Sequence, residues 1–496
     1  MTARWARPLQ ILKAAFWSVT CLAVLGSLYV LERERRTVET SVVSTETGPL
    51  SIYVPKRADP GPLVLVTHGF AGSRQMMQYI SRDLARGGFA VASMDFAGQG
   101  RSTARMSSDV TRIEGTTEQL MRQTLSAVDL IEATIGRPVE ALVGHSMATD
   151  IVIRASEKLP EVAGIVAISM YSEKVSADFP SRLLILSGEW ETRLRVFGRS
   201  AIAQIDPEAR EGQTVRQGDV VRRAVSVPRT EHVAVLFSPV TLEETHVWIS
   251  DALNRSYSGT AWGMGVPIAV VLVGLIVLFW PVTRGLGPIV PPPRALSLRA
   301  FLAATLFPVI PALAASVFLG GSLAGSAAFG GLFAFLLVWS GVAWAVLWRV
   351  GYRPHVPHVL GVAVLVIWGF VVFALALDRY AAAFVPAGSR LELMVIFLTA
   401  TVPFMAADRA LVAGAPVWRR LVSRAMPVAA LLSAMLIDIP RMGLLFTVLP
   451  VLVLFFAVYG TMGRAVARRT NPETAALGLG VILAWSIAAS TPLFVG

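Results

Sequence analysis

The second half of this chain is a series of long apolar segments, and nothing else in the sequence constrains the fold as strongly. From about Trp262 onward the segments are 262–283, 300–320, 328–348, 358–377, 391–407, 424–438, 442–461 and 474–494. About twenty consecutive apolar residues let a helix cross a bilayer while satisfying its own backbone N–H and C=O groups. A further apolar segment, 11–31, follows Arg4 and Arg7. It is long for the core of a secretory signal, and no small-x-small cleavage site follows, so it reads as an uncleaved anchor. Together these make about nine spans. Segment 424–438 is the shortest, and "IDIPR" (437–441) behind it reads as a tight turn or a re-entrant break. "GGSLAG" (320–325) reads as a tight interhelical turn with small-residue packing. With 54% hydrophobic residues and a mean hydropathy of +0.61, the 496-residue chain is too apolar for an ordinary soluble protein.

The net charge of +11 comes almost wholly from arginine, since Lys occurs only at 13, 56, 158 and 174. The arginines punctuate the apolar segments instead of forming one block. That pattern suits the loops of a membrane protein and argues against nucleic acid as a partner. With a cytoplasmic N-terminus, four arginine groups fall inside: 284–299, 349–353, 409–424 and 464–469. The opposite loops are poor in net positive charge, with Asp378 beside Arg379 and Asp438 beside Arg441. This positive-inside pattern requires 424–438 to span. It predicts a multi-pass protein of the cell (inner) membrane with residues 37–256 outside the cytoplasm.

Three regions follow: an anchor over 1–36, a folded domain over 37–256 and a polytopic domain of about eight helices over 257–496. In the middle region, "PLVLVTHG" (62–69), "FAVASMDF" (89–96), "EALVGHS" (140–146), "AGIVAIS" (163–169) and "RLLILSG" (182–188) are compact apolar runs. Helical periodicity occupies 75–87, 116–135, 147–159 and 193–205. Short continuous apolar strands alternating with helices indicate a parallel, doubly wound sheet covered on both faces. Ligands bind such sheets at the carboxyl ends of the strands. "SVVSTETGPLSIYVP" (41–55) reads as an earlier hairpin, 224–228 as a late strand and "SPVTLEETHVWISDAL" (238–253) as a terminal helix.

Residues of about 50–255 resemble the α/β-hydrolase family, and the resemblance implies that family's fold. Gly144-His145-Ser146-Met147-Ala148 is similar to the family's G-x-S-x-G nucleophile elbow, with Ala in place of the last Gly. Small residues are needed there because strand and helix pack closely about a strained turn. "THGFAGS" (67–73) stands where the family has its oxyanion loop. The resemblance implies that the Phe70 and Met147 amides face a developing oxyanion. "DFAGQGRS" (95–102) looks like the family's D-x-x-G-x-G-x-S turn, and Asp95 and His68 are read as structural.

A serine nucleophile needs a base and an orienting carboxylate, in the family order Ser, acid, His. After Ser146 the histidines are His232, His246, His355 and His358. His246 falls inside the terminal helix and the last two lie in the membrane region, so His232, in "PRTEHVAVLFSP", is the expected base. Glu191 occupies the family's acid slot in "GEWE" (188–191), with Glu189 and then Glu173 as alternatives. The resemblance implies a serine esterase cleaving carboxylic esters through an acyl-enzyme, and a domain without a large cap, tethered at both ends by membrane spans, is expected to favour lipid-like esters. Acyltransferase and peptidase action on the same triad stay open. So does a transporter-like membrane module with a regulatory hydrolase domain. The connection 170–181 is too short for a large cap, and helix 193–205 has an apolar face able to flank the site mouth. The expected partners are an acyl ester and the lipid bilayer. No cofactor, metal or nucleotide site is expected: Cys21 is the sole cysteine, and no Cys/His cluster has zinc spacing.

Overall fold

The computed structural model describes residues 6–56, 60–110, 112–256, 261–321, 323 and 329–495, with side chains from residue 11. The turn read at 320–325 lies in part outside the described residues. The chain divides into two compact units. One comprises Gly26–Val270 with Arg379–Ala383; the other comprises Met1–Leu25, Val271–Asp378 and Phe384–Gly496.

The first unit is built on nine strands: β1 (Val38–Thr45), β2 (Gly48–Pro55), β3 (Leu63–Thr67), β4 (Ala90–Met94), β5 (Val139–His145), β6 (Gly164–Ile168), β7 (Arg182–Gly188), β8 (Thr214–Gln217) and β9 (Val220–Val227). They form one sheet in the order β1-β2-β4-β3-β5-β6-β7-β9-β8. The six strands β4, β3, β5, β6, β7 and β9 are mutually parallel, and β1, β2 and β8 add antiparallel edges. Every residue of β3, β4 and β6 is buried, so both faces of the sheet are covered. Unbroken apolar runs are what strands in that position require. Helices α2 (Gln78–Arg86), α3 (Glu118–Ile135), α4 (Met147–Ser156), α5 (Thr192–Ala203) and α6 (Pro239–Ala252) supply the covering.

The same unit includes the carboxyl end of helix α1 (Ala6–Arg35). There Glu34 makes a fully buried ion pair with Arg82 of α2 at 2.8 Å. The segment Arg379–Ala383 is also tied in. Arg379 holds Glu32 through two 2.7 Å bonds, Tyr79 Oη donates to the Tyr380 carbonyl at 3.0 Å, and the Ala383 amide donates to Ser73 Oγ at 3.0 Å.

In the second unit and its connections run α7 (Gly265–Leu286), α8 (Leu298–Phe318), α9 (Phe329–Arg349), α10 (Val359–Tyr380), α11 (Ser389–Val412), α12 (Val417–Ile437), α13 (Ile439–Ala467) and α14 (Pro472–Ser490). With α1, nine helices among the described residues are long and apolar enough to cross a membrane. Helix α14 is the most buried and lies against α11. A side chain at Gly480 would meet the Val402 backbone at 2.6 Å, and the Thr401 hydroxyl donates to the Gly480 carbonyl at 2.9 Å. A missing side chain thus lets two helices approach closely.

Three boundaries differ from the sequence reading. Helix α12 starts at Val417, seven residues before the apolar segment at 424, so it has 21 residues. Its first turns carry Arg419, Arg420 and Arg424, which lower the local hydropathy without ending the helix. Strand β9 begins at Val220, not 224, and is preceded by an unexpected partner, β8. The span after "IDIPR" starts at Ile439, not 442: Asp438, with φ −134° and ψ 71°, ends α12 in a tight turn and caps the next helix by accepting from the Arg441 amide, and helical structure continues to Ala467.

Candidate active site

Ser146 sits where β5 ends and α4 begins, with φ 53° and ψ −119°. A side chain other than glycine rarely adopts that region, and the strain holds the hydroxyl clear of both elements. Close packing fixes the turn. The Ser146 amide donates to the Ile168 carbonyl at 2.8 Å, and the Thr149 hydroxyl donates to the Ser146 carbonyl at 2.7 Å. A Cβ on Gly144 would lie 2.7 Å from the Ala148 carbonyl oxygen, so glycine is required there. Ala148, where the family motif has Gly, is completely buried.

The loop after β3 folds over this elbow. A Cβ on Gly69 would come within 2.8 Å of the Ser146 Cβ and 3.0 Å of the His145 carbonyl oxygen. His68 is fully buried; its Nδ1 donates to the Gly69 carbonyl at 2.7 Å and its Nε2 accepts from the Phe96 amide at 3.0 Å. Burial pushes the His68 pKa down, so it remains a neutral bridge between two loops. Asp95 accepts from the Arg74 and Arg101 amides at 2.7 and 3.0 Å and pairs with the Arg74 guanidinium. Both residues brace the loop that carries Phe70. Met147 is the first residue of α4, so its amide is one of those the helix cannot satisfy internally.

The sequence separates Ser146, Glu191 and His232 by up to 86 residues, and the structure brings them together. His232 Nε2 lies 2.9 Å from Ser146 Oγ, and His232 Nδ1 lies 2.5 Å from Glu191 Oε1. The His232 side chain is 43% exposed and that of Glu191 only 6%, so the imidazole is open to a ligand while the carboxylate is enclosed. Burial raises the Glu191 pKa. Hydrogen bonds from His232, from the Gly188 amide at 2.6 Å and from the Ser169 hydroxyl at 2.8 Å outweigh it and hold the carboxyl below its ordinary value. Glu191 is therefore ionised at neutral pH. The Nδ1 proton then sits toward it, and the Nε2 lone pair faces the serine hydroxyl.

The alternatives lie elsewhere. Glu189 accepts from the Arg229 amide at 2.7 Å, and Glu173 is exposed. His246 pairs with Asp83 at 3.0 Å inside α6. His358 caps α10 by accepting from the Gly361 amide at 3.1 Å, and His355 lies 3.7 Å from Glu473. The apolar face of α5 packs inward, its Gly198, Ala201 and Ile202 buried on the sheet, while Phe197 meets Tyr171 edge-on at 5.1 Å.

Two further residues belong to the site. Ser169, at the end of β6 with φ 54°, orients the outer oxygen of Glu191. His145 is 4% exposed, its Nε2 is 2.9 Å from the His232 carbonyl oxygen, and its pKa is driven down to about 3, chiefly by burial and then by the neighbouring His232. The only sequence signal for either was adjacency to a strand end. Among the described residues no group of three or more His, Cys, Asp or Glu is placed to hold a metal ion.

Residues 62–229 match the family model described as alpha/beta hydrolase fold. Similar solved structures include TT1662 from Thermus thermophilus, at 16% identity, 44% of this chain, 99% of that chain and a TM-score of 0.32. Dienelactone hydrolase from Anabaena variabilis is 16% identical over 44% of this chain and 98% of its own, with a TM-score of 0.33. A soluble variant of monoglyceride lipase from Saccharomyces cerevisiae is 12% identical over 44% and 96%, with a TM-score of 0.33. No curated protein matches the chain. The domain has the α/β-hydrolase fold, and a helical region of several long apolar helices follows it.

Proposed function

We propose that this protein is a membrane-bound serine hydrolase that cleaves carboxylic esters, with Ser146 as nucleophile, His232 as general base and Glu191 as the orienting carboxylate. The observation that carries the reading is the hydrogen-bonded run from Ser146 Oγ through His232 to Glu191, with spacings of 2.9 and 2.5 Å. In the first step His232 Nε2 takes the serine proton as Oγ attacks the acyl carbon. Negative charge gathers on the former carbonyl oxygen. The Phe70 and Met147 amides stabilise it, the latter with the partial positive charge of a helix N-terminus. His232 then gives its proton to the departing alkoxide, leaving an acyl-enzyme. Water, deprotonated by the same imidazole, clears the acyl group.

The substrate we infer is lipid-like. Tyr171, Trp190 and Val233 follow β6, β7 and β9 at the carboxyl ends of the strands, where Ser146 follows β5, and they are 53%, 64% and 43% exposed. Apolar side chains left open beside a nucleophile favour an apolar acyl chain. The connection between β6 and β7 is too short to cap them.

Fluorophosphonate labelling of the full chain tests the reading. Wild type is expected to label, and Ser146→Ala and His232→Ala are not. Equal labelling of Ser146→Ala would mean another nucleophile. For the substrate, long-chain esters in micelles are expected to outrun short soluble esters, and indifference to chain length would sink that half of the reading.

A further inference from the structure

Five arginines converge on one cavity of the helical unit. Its volume is about 350 Å3, and it is walled by Arg409, Arg420, Arg424, Arg464 and Arg468, with Pro292 and Pro293 among the apolar residues. No acidic side chain lines it among the described residues. Asp408 pairs with Arg424 through two 3.1 Å hydrogen bonds. One carboxylate against five guanidinium groups leaves four positive charges in place. Arg420 Nε donates to the Ala415 carbonyl at 2.8 Å, and Arg464 donates to the Thr461 hydroxyl at 2.9 Å. Arg409 is 5% exposed, and its Nε and Nη1 have no hydrogen-bond partner among the described residues. A buried guanidinium with two unmet donors, among four others of like charge, is costly unless an anion joins it. The planar fork of arginine matches the oxygens of phosphate.

Two apolar grooves adjoin this cavity. One, of about 630 Å3 between α12 and α13, shares Arg420, Arg424 and Arg464 with it and is walled by Leu421, Leu432 and Val453, all exposed. The other, of about 890 Å3, shares Arg409 and Pro472 and is walled by Trp344, Trp348 and Leu477. A soluble phosphate has no use for such grooves. A phosphate attached to acyl chains fits both chemistries, and basic pockets between membrane helices on the cytoplasmic side suit anionic headgroups.

We propose that this cavity binds the phosphate group of an anionic phospholipid, the headgroup lying among the five arginines and an acyl chain along the α12–α13 groove. The site is independent of the reading given to Ser146. The positive-inside pattern assigns it to the cytoplasmic leaflet.

Native mass spectrometry of the detergent-purified full chain tests this with three probes: phosphatidylglycerol, phosphatidylcholine and inorganic phosphate. Wild type is expected to retain one phosphatidylglycerol at concentrations where phosphatidylcholine is not retained. Arg464→Gln is expected to weaken that binding on the order of tenfold, the loss of one charge-assisted hydrogen bond. Arg409→Gln is expected to do at least as much. Because Arg409 is buried and its replacement can unfold the chain, the half-buried Arg464 carries the test. Arg353→Gln, a basic residue outside the cavity, is expected to change binding by less than about twofold, since exposed charges are screened. Equal retention of the two lipids, or equal weakening by Arg353→Gln, overturns the proposal. Tighter binding of inorganic phosphate than of phosphatidylglycerol would make this a site for a soluble anion and overturn the lipid assignment.

Discussion

The imidazole of His145 donates from Nε2 to the main-chain carbonyl of His232 at 2.9 Å, and the two rings lie with centroids 4.9 Å apart. One histidine next to Ser146 in sequence thus fixes the backbone of the histidine opposite it in space. Because His145 stays neutral, it donates without adding a positive charge beside the base. His145→Ala frees the His232 loop while leaving all three of Ser146, His232 and Glu191 in the chain. Small misplacements of a base are expensive, so kcat for ester hydrolysis is expected to fall roughly tenfold or more with KM little changed. An unchanged kcat would show that the loop holds itself.

Glu191 and Glu189 are two residues apart, and only the first reaches His232. Glu191→Gln keeps the shape but removes the charge that orients and stabilises the imidazolium. Steady-state kinetics are expected to show kcat reduced by roughly 10^3- to 10^4-fold, as for the equivalent change in other triads. Glu189→Gln removes an exposed charge while its amide oxygen can still accept from the Arg229 amide, and it is expected to keep activity within about threefold. Reversed magnitudes would move the acid to Glu189.

Much of this was legible in the sequence for a physical reason. Strands β3 to β7 are buried on both faces, so burial wrote unbroken apolar runs into the chain. β8, "TVRQ", is an edge strand with one buried residue in four, and it carries no such mark. Helix α12 extends ahead of its apolar segment, where Arg419 donates to the Leu296 carbonyl and Arg420 to the Ala415 carbonyl, compensations that no window of sequence displays. Ser146, Glu191 and His232 stood out because each follows a strand end in the family's order. Ser169 and His145 act on residues 22 and 87 positions away, so their contributions exist only once the sheet has brought those ends together.

Stability is expected to fall in acid. The His145 pKa is about 3 in the fold against an ordinary 6.5. Between those values the unfolded chain binds a proton that the folded chain refuses. The folded state is therefore favoured fully above about pH 6.5, and the advantage is lost as pH falls toward 3, on the order of 1 kcal/mol per pH unit. His68 is shifted the same way by burial. Glu191, held below its ordinary value, adds stability that is present above the ordinary carboxylate range and lost as pH falls through its folded value. The thermal midpoint of the full chain, followed from pH 8 to 4, should drop, and His145→Asn should flatten the slope. An identical slope in that variant would count against His145 as a source.

The positive-inside pattern makes a topological prediction. Cys21 is the only cysteine, so Cys21→Ser gives a clean background. Glu231→Cys, in the hydrolase domain, should react in intact cells with a maleimide that cannot cross the inner membrane, and Arg468→Cys should react only after lysis. Reaction of Arg468→Cys in intact cells would invert the topology.

The last prediction concerns the fit between two loops. Gly69 has room for no side chain, since a Cβ there would meet the Ser146 Cβ at 2.8 Å and His145 Nδ1 at 2.9 Å. Both neighbours are fixed, one by a strained turn and the other by its bond to His232. In Gly69→Ala the loop carrying the Phe70 amide must therefore move away from the elbow. Losing one aligned oxyanion donor costs roughly 10^2- to 10^3-fold in kcat. The overpacking itself is expected to cost about 1–3 kcal/mol of stability. Ala148→Gly, which restores the family's residue at a buried helical position, is expected to cost only about 1 kcal/mol of stability and to leave labelling near the wild-type rate. Fluorophosphonate labelling rates and thermal midpoints separate the two. If Gly69→Ala labelled as fast as wild type, the loop would not be packed against the elbow in the working enzyme, and Phe70 would lose its proposed role.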